Sequence, residues 1–299
     1  MQAGMVKKAI RLSAGLAFSF MASCSHAEDT LTRIRDTHTI TIANREASLP
    51  FSYLDENNRP AGYAIDLCLK IAEAVRRELK LPQLNIAYLT VTPGNRIPAI
   101  VEGKADIECG STANNADRRR QVAFTIPHFI AGARMLVRAD SGIKNWPDLR
   151  DKRVVTTQGT TMTKLLNDSD KVRALGLKLV EARNHKDAFS MVEKREAQAF
   201  AMDDVLLYGL RAGAKNPSDF LIVGDMLSTE AYAIMLRRDD APFKALVDRE
   251  MSRIIADGEM SKLYDKWFMN PLPNGLNFNM PMGYLLRDAM RFPSDKVAD

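Results

Sequence analysis

Two α/β units of similar size, each a sheet covered by helices, are what this chain predicts. Short apolar strands alternate with amphipathic helices at intervals of about 10 to 15 residues. The alternation runs through once, then restarts after Arg134-Met135-Leu136-Val137. A length of 299 residues also exceeds what one hydrophobic core ordinarily serves. Composition agrees with a globular protein: 46% of residues are hydrophobic and 26% charged, and 16 Gly and 13 Pro are spread without a period. Collagen-like, mucin-like and low-complexity classes are excluded.

The chain opens on a basic segment with Lys7, Lys8 and Arg11, then the apolar residues 12–22, then Ser25-His26-Ala27. That order is a secretory leader over residues 1–27, and its apolar run is too short to span a bilayer as a helix. Cleavage after Ala27 gives a mature start at Glu28. The minor alternative takes Met21-Ala22-Ser23-Cys24 as an imperfect lipoprotein box acylated at Cys24. The leader carries three of the 42 basic residues and none of the 37 acidic ones, so the formal charge of +5 falls to +2 without it. So small an excess gives little support to a nucleic-acid partner.

In the body, Thr39–Ala43 alternates as a strand. Apolar positions from Ile65 through Cys68, Leu69, Ala72, Val75 and Leu79 have helical spacing, and Pro82 stands just past the end. Leu84–Val91 is the next strand, Arg96–Glu102 a short helix ended by Gly103, and Ala105–Cys109 a strand entering the polar segment Gly110–Asn115. The second unit reads as strand Val154–Thr157, a helix opened by Gly159-Thr160-Thr161, strand Leu177–Val180, helix Asp187–Arg195, strand Ala197–Met202 and a helix through Ala212. Tyr232–Leu236 returns as one strand, followed by helices near Phe243–Ile255 and Glu259–Phe268, then a partly exposed Asn/Pro-rich tail. In such layered sheets ligands bind at the carboxyl ends of strands, where Gly110–Asn115 lies.

Several groups could carry chemistry. Gly159-Thr160-Thr161 after a strand suits an anion at a helix start, although a Thr there is equally an ordinary cap, and the P-loop ending is absent. Asp203 and Asp204 could receive an ammonium, with one of them serving only as a cap. Of Arg118, Arg119 and Arg120, only one can face a given cleft. Ser111 lies outside a nucleophile elbow, and His38, His128 and His185 are too scattered for a metal motif, so no metal, cofactor or catalytic set is expected. Cys68 and Cys109 read either as one disulfide, suited to an exported protein, or as two buried thiols.

The leader, the two alternating units and the polar strand ends resemble a bacterial periplasmic solute-binding protein. More closely, Asn44–Tyr53, Gly62–Asp66, Asn95–Pro98, Glu108–Thr112, Arg118, Gly159–Thr161, His185, Met202–Asp204, Glu230–Tyr232 and Asp265–Phe268 resemble the glutamate/aspartate-binding group of amino-acid ABC importers. The resemblance spans essentially the whole body. It implies a two-lobed α/β fold with a ligand cleft and a two-strand hinge: residues 28–132 plus 234–299 form one discontinuous lobe, and 133–233 the other. It also implies a periplasmic, monomeric, non-catalytic protein that delivers an acidic amino acid to an inner-membrane ABC permease. By that resemblance Arg118 grips the α-carboxylate with Thr161 and the helix-start amides around Thr160, Ser111 adds a polar contact, and Asp203 takes the α-ammonium. Arg45, Arg96 and His185 surround the acidic side chain, His185 as a candidate positive charge. Pro93 and Ala113 stand where the group carries hydroxyl side chains, a departure bearing on affinity and on the choice between glutamate and aspartate. The alternative reading is a periplasmic dehydratase or other lyase on the same fold, although no acid/base pair for it is visible.

Overall fold

The computed structural model describes residues 29–272 and 275–296; the leader over 1–27, the start at Glu28 and the acylation alternative at Cys24 lie outside them. The first stretch of chain forms α1 (Thr30–Thr37), β1 (Thr39–Arg45), β2 (Ala47–Ser48), β3 (Ser52–Leu54), β4 (Pro60–Ala61), α2 (Tyr63–Glu78), β5 (Asn85–Val91), α3 (Arg96–Val101), β6 (Ile107–Glu108), α4 (Ala116–Arg119) and β7 (Val122–Phe124). The second forms β8 (Phe129–Arg138), β9 (Arg153–Thr157), α5 (Met162–Arg173), β10 (Lys178–Ala182), α6 (His185–Glu193), β11 (Ala199–Asp203), α7 (Asp204–Ala212), β12 (Phe220–Val223) and β13 (Thr229–Tyr232). The chain ends with β14 (Met235–Arg237), α8 (Ala241–Ala256), α9 (Glu259–Tyr264), a π turn at Asp265–Met269 and α10 (Tyr284–Arg291).

Two mixed sheets result. One runs β5-β1-β6-β14-β7, the other β10-β9-β11-β8-β12, and β2-β3-β4 form a small separate sheet. In β1 the side chains of Ile40 and Ile42 enter the cluster shared with α2 and α8, whereas Ala43 joins Val91, Ala99 and Ile100 on the other face. That is why Thr39–Ala43 alternates yet is apolar on both sides where it is most buried. The second sheet repeats the arrangement. Val155 and Phe200 pack with Phe189, Val192 and Val205, while Val154, Ala199 and Ala201 pack with Trp146, Met162 and Leu166.

The helix expected from Ile65 begins two residues earlier, at Tyr63. Gly62 before it has φ +139°, and a Cβ there would lie 2.2 Å from the Phe51 carbonyl oxygen, so only glycine fits this approach. Cys68 on α2 is disulfide-bonded to Cys109 after β6, with Cα atoms 6.3 Å apart.

One expected strand is two. Thr229–Tyr232 pairs antiparallel with the start of β8, from Thr229 opposite Gly132 to Tyr232 opposite Phe129. Met235–Arg237 instead pairs with β6 and β7 in the first sheet. The chain changes sheet at Ala233-Ile234, where the Ala233 amide donates to Thr112 and the Ile234 carbonyl accepts from Thr125. The far half of β8 pairs with β11 and β12, so β8 and β13 lie together in the second sheet, while β7 before them and β14 after them lie in the first. The tail also holds a helix that its Asn/Pro content concealed: α10 buries Leu286, and the following residues are tied back where Asn114 Nδ2 donates to the Asp295 carbonyl at 3.0 Å.

Candidate functional site

The carboxyl end of β1 delivers Arg45, the start of α3 Arg96, the loop after β6 Ser111, and α4 Arg118. From the second sheet come the turn Gly159–Thr161 after β9, His185 at the start of α6, and Asp203 at the end of β11. Arg45, Arg96, Ser111, Arg118, His185 and Asp203 are all buried. Of the arginine run, only Arg118 turns inward. Arg119 Nη1 donates to Asn114 Oδ1 at 3.0 Å, and Arg120 pairs with Asp117 at 2.6 Å near the surface.

The two sheets meet through these residues. Arg118 Nη1 donates to the Ala113 carbonyl at 2.9 Å, and its Nη2 reaches the Gly159 carbonyl at 3.3 Å. Arg45 Nη2 lies 3.5 Å from His185 Nε2, whose Nδ1 is 2.8 Å from Thr157 Oγ1. Gly159 has φ +75°, and a Cβ there would lie 2.6 Å from Gly94 Cα and 2.7 Å from the Pro93 carbonyl oxygen, so this turn closes backbone to backbone on the loop before α3. Pro93 thus supplies a carbonyl surface at the contact, and Ala113 supplies the carbonyl that holds Arg118.

Three guanidiniums in one buried place perturb one another. Burial and then Arg96 bring Arg45 down to about 9, and the same two causes bring Arg118 to about 9; Arg96 is lowered chiefly by burial. Glu108, at the end of β6, offsets part of that charge and accepts from Thr112 Oγ1 at 2.7 Å. Burial, then Arg45 and Arg96, hold His185 well below its ordinary range. His185 is therefore uncharged at neutral pH in this arrangement, first because it is buried and then because Arg45 and Arg96 stand beside it. Asp203 is pushed up to about 7, first by burial and then by Glu230.

Two further expectations change in detail. Thr160 donates both its amide and its hydroxyl to the Thr157 carbonyl, at 3.3 and 2.7 Å, so its side chain shapes the turn. Thr161 stands at the helix start but makes no side-chain cap, and it lowers the Glu230 carboxyl on β13, which burial otherwise raises. Asp204 takes the cap duty, accepting from the amides of Gly132 and Val205, and leaves the Asp203 carboxylate free of it. No local pattern in the sequence assigns a role to Glu108, Glu230 or Tyr232. Tyr232 is 29 residues from the Asp203 carboxylate it touches, and the signal for it and Glu230 is their place in Glu230-Ala231-Tyr232.

Residues 40–270 match the family described as bacterial extracellular solute-binding proteins, family 3. The chain belongs to that family. Among curated relatives of this solute-binding protein, the L-glutamate/L-aspartate-binding protein of Pseudomonas aeruginosa is 46% identical over 272 residues, 90% of each chain. The glutamate/aspartate import solute-binding protein of Escherichia coli is 41% identical over 290 residues, 97% of this chain and 96% of that one. Solved structures agree on the two-lobed α/β fold. An ancestral arginine-binding protein bound to arginine superposes with a TM-score of 0.69 at 26% identity, covering 77% of this chain and 98% of that one. A mutant of ArgBP from T. maritima gives 0.71 at 27%, covering 80% and 99%.

Proposed function

We propose that this solute-binding protein captures glutamate or aspartate between its lobes in the periplasm and delivers it to an ABC permease of the inner membrane. One observation carries the reading from the structure. Arg45 Nη1, Arg96 Nε, Ser111 Oγ and Asp203 Oδ1 are buried in one site with no hydrogen-bond partner among the described residues. Glu108 Oε1, beside Arg45, is unpaired in the same way; buried polar atoms are ordinarily paired, so the matching ligand has groups to satisfy several donors and the Asp203 acceptor. An acidic amino acid offers two carboxylates and one ammonium. The relatives at 46% and 41% identity carry glutamate and aspartate in their names, and the family is one of binding proteins, which favours transport over the dehydratase reading.

In this reading Arg118 takes the α-carboxylate in the bidentate geometry that guanidinium favours, with Thr161 and the first amides of α5 on the other side. Asp203 Oδ1 accepts the ammonium, and Ser111 Oγ adds a hydrogen bond. Arg45 and Arg96, with neutral His185 between lobes, meet the distal carboxylate. A second carboxylate is what offsets the cost of keeping two guanidiniums dry beside each other. The lobes divide at residues 132/133 and 233/234, with β8 and β13 as the hinge; β13 pairs with the start of β8 in the second sheet, and the chain that follows it enters the first sheet as β14, which supports this. Purified mature protein, heated to release what it carries, should yield unchanged glutamate or aspartate by mass spectrometry. Steady conversion of either to a deaminated or dehydrated product would replace this reading with the lyase.

A further inference from the structure

Asp203 stands at the start of α7 without capping it, and one tyrosine holds it. The Tyr232 hydroxyl donates to Asp203 Oδ2, while Oδ1 is buried and has no partner among the described residues. Nothing about Tyr232 is loose. Its ring is fully buried, edge-on to Phe51 at 5.2 Å and 6.2 Å from Phe129. Its carbonyl accepts from the His128 amide at 2.8 Å, and its backbone bridges to Ala113, whose carbonyl holds Arg118. The residue is rooted in the first lobe's aromatic cluster, lies on the crossing strand β13, and ends on a carboxylate of the second sheet.

We propose that Tyr232 is the positioning residue of the amino-group subsite: it occupies Asp203 Oδ2, fixes the plane of the carboxylate, and leaves Oδ1 as the single acceptor for the α-ammonium. This rests on the role proposed for Asp203. The physical need is plain. The carboxylate sits in a buried site with Glu230 on β13 and Asp204 beside it, both disfavouring its charge, against Arg118 on α4 and Arg96 on α3, which favour it. A donated hydrogen bond stabilises the ionised form, the one that accepts from an ammonium.

The test compares L-glutamate with glutarate, the same diacid without the amino group, by calorimetry and by competition, in the full mature protein from about pH 6 to 9. Tyr232→Phe keeps the ring and removes only the donor. Glutamate should bind about tenfold or more weakly, the usual effect of losing a hydrogen bond to a charged group, with glutarate changed less than about twofold. The acid limb of glutamate binding should also move to higher pH, since Asp203 loses a bond that favours ionisation; this limb decides the matter even where glutarate binds too weakly to titrate. A purely structural tyrosine would weaken both ligands together or leave the limb in place, and either result overturns the proposal. Asp203→Asn separates the two layers. It should abolish the preference for glutamate over glutarate. If it does not, Asp203 is not the ammonium acceptor and the reading of the site falls with it; if it does while Tyr232→Phe leaves preference and limb intact, only the role of Tyr232 is refuted.

Discussion

If Arg96 meets the distal carboxylate as proposed, replacing it by alanine should separate recognition of the acidic side chain from recognition of the amino-acid head. Arg96 is buried at the start of α3; its Nη1 spends one bond on the Ser111 carbonyl at 3.3 Å, and its Nε has no partner among the described residues. Truncating one side of a buried charged pair costs about 2 to 5 kcal/mol. Part of that is returned here. Arg96 is the main charged neighbour lowering Arg45 and Arg118, so its removal relieves both and lets Arg45 take more of the distal carboxylate. The lower end, about 2 kcal/mol or roughly 30-fold, is therefore expected for glutamate and aspartate. Glutamine presents no distal charge and should lose less than about fivefold, the part owed to hydrogen bonding. Calorimetry at one salt concentration and pH, on variant protein shown to be folded, gives all three constants. Equal weakening of glutamate and glutamine would refute a distal-carboxylate role for Arg96.

Four other outcomes follow from the same geometry. Arg118→Ala should weaken glutamate, aspartate and glutamine alike, by about 30-fold or more, because all share the α-carboxylate; unchanged binding would remove Arg118 from the site. Gly159→Ala places a side chain where the lobes meet and forces φ +75° on alanine, so saturating glutamate should no longer compact the protein in small-angle scattering, whereas the native chain should shrink. Opening the disulfide with Cys68→Ala and Cys109→Ala frees a loop of 41 residues, a loss of about 4 kcal/mol by chain entropy, and should lower the melting temperature while leaving affinity at 25 °C within about twofold. Asp203→Asn should stabilise the ligand-free protein at neutral pH and above. The wild-type carboxyl, raised to about 7, carries a folding penalty that grows as pH rises from its unfolded value of about 3.9 and is complete above about 7. The gain should be roughly 8 °C at pH 8, from about 4 kcal/mol at about 2 °C per kcal/mol, and vanish near pH 4; a variant less stable at pH 8 would contradict the assigned environment.

How far the sequence could be read depended on how local each signal was. Strands β1, β5 and β9 and helices α2, α3 and α7 declare themselves through spacing and through Pro82 and Gly103 at their ends, and the observed elements lie within a few residues of these positions. Tyr232–Leu236 misled because an unbroken apolar run carries no mark of a change of sheet; the break is set by Thr112 and Thr125, more than a hundred residues earlier. Helix α10 hid because a single leucine, Leu286, anchors it. At the site, residue types pointed to charged ligand groups, but only a fold could gather Arg45, Arg118 and Asp203 from separate elements. The neutrality of His185 and the tie from Tyr232 to Asp203 depend on proximity across 140 and 29 residues, which no local pattern records.

The most direct trial of acidic amino-acid capture is a ladder of dissociation constants for the native protein, freed of carried ligand by unfolding and refolding, with L-glutamate, L-aspartate, L-glutamine and L-arginine. Glutamate or aspartate should bind at least about 30-fold more tightly than glutamine, the value of one buried charged contact, and arginine should not bind measurably, because its cationic end would face Arg45 and Arg96. Glutamine binding as tightly as both acidic ligands, or arginine binding more tightly than either, would contradict the proposed pairing of the distal carboxylate with those two guanidiniums.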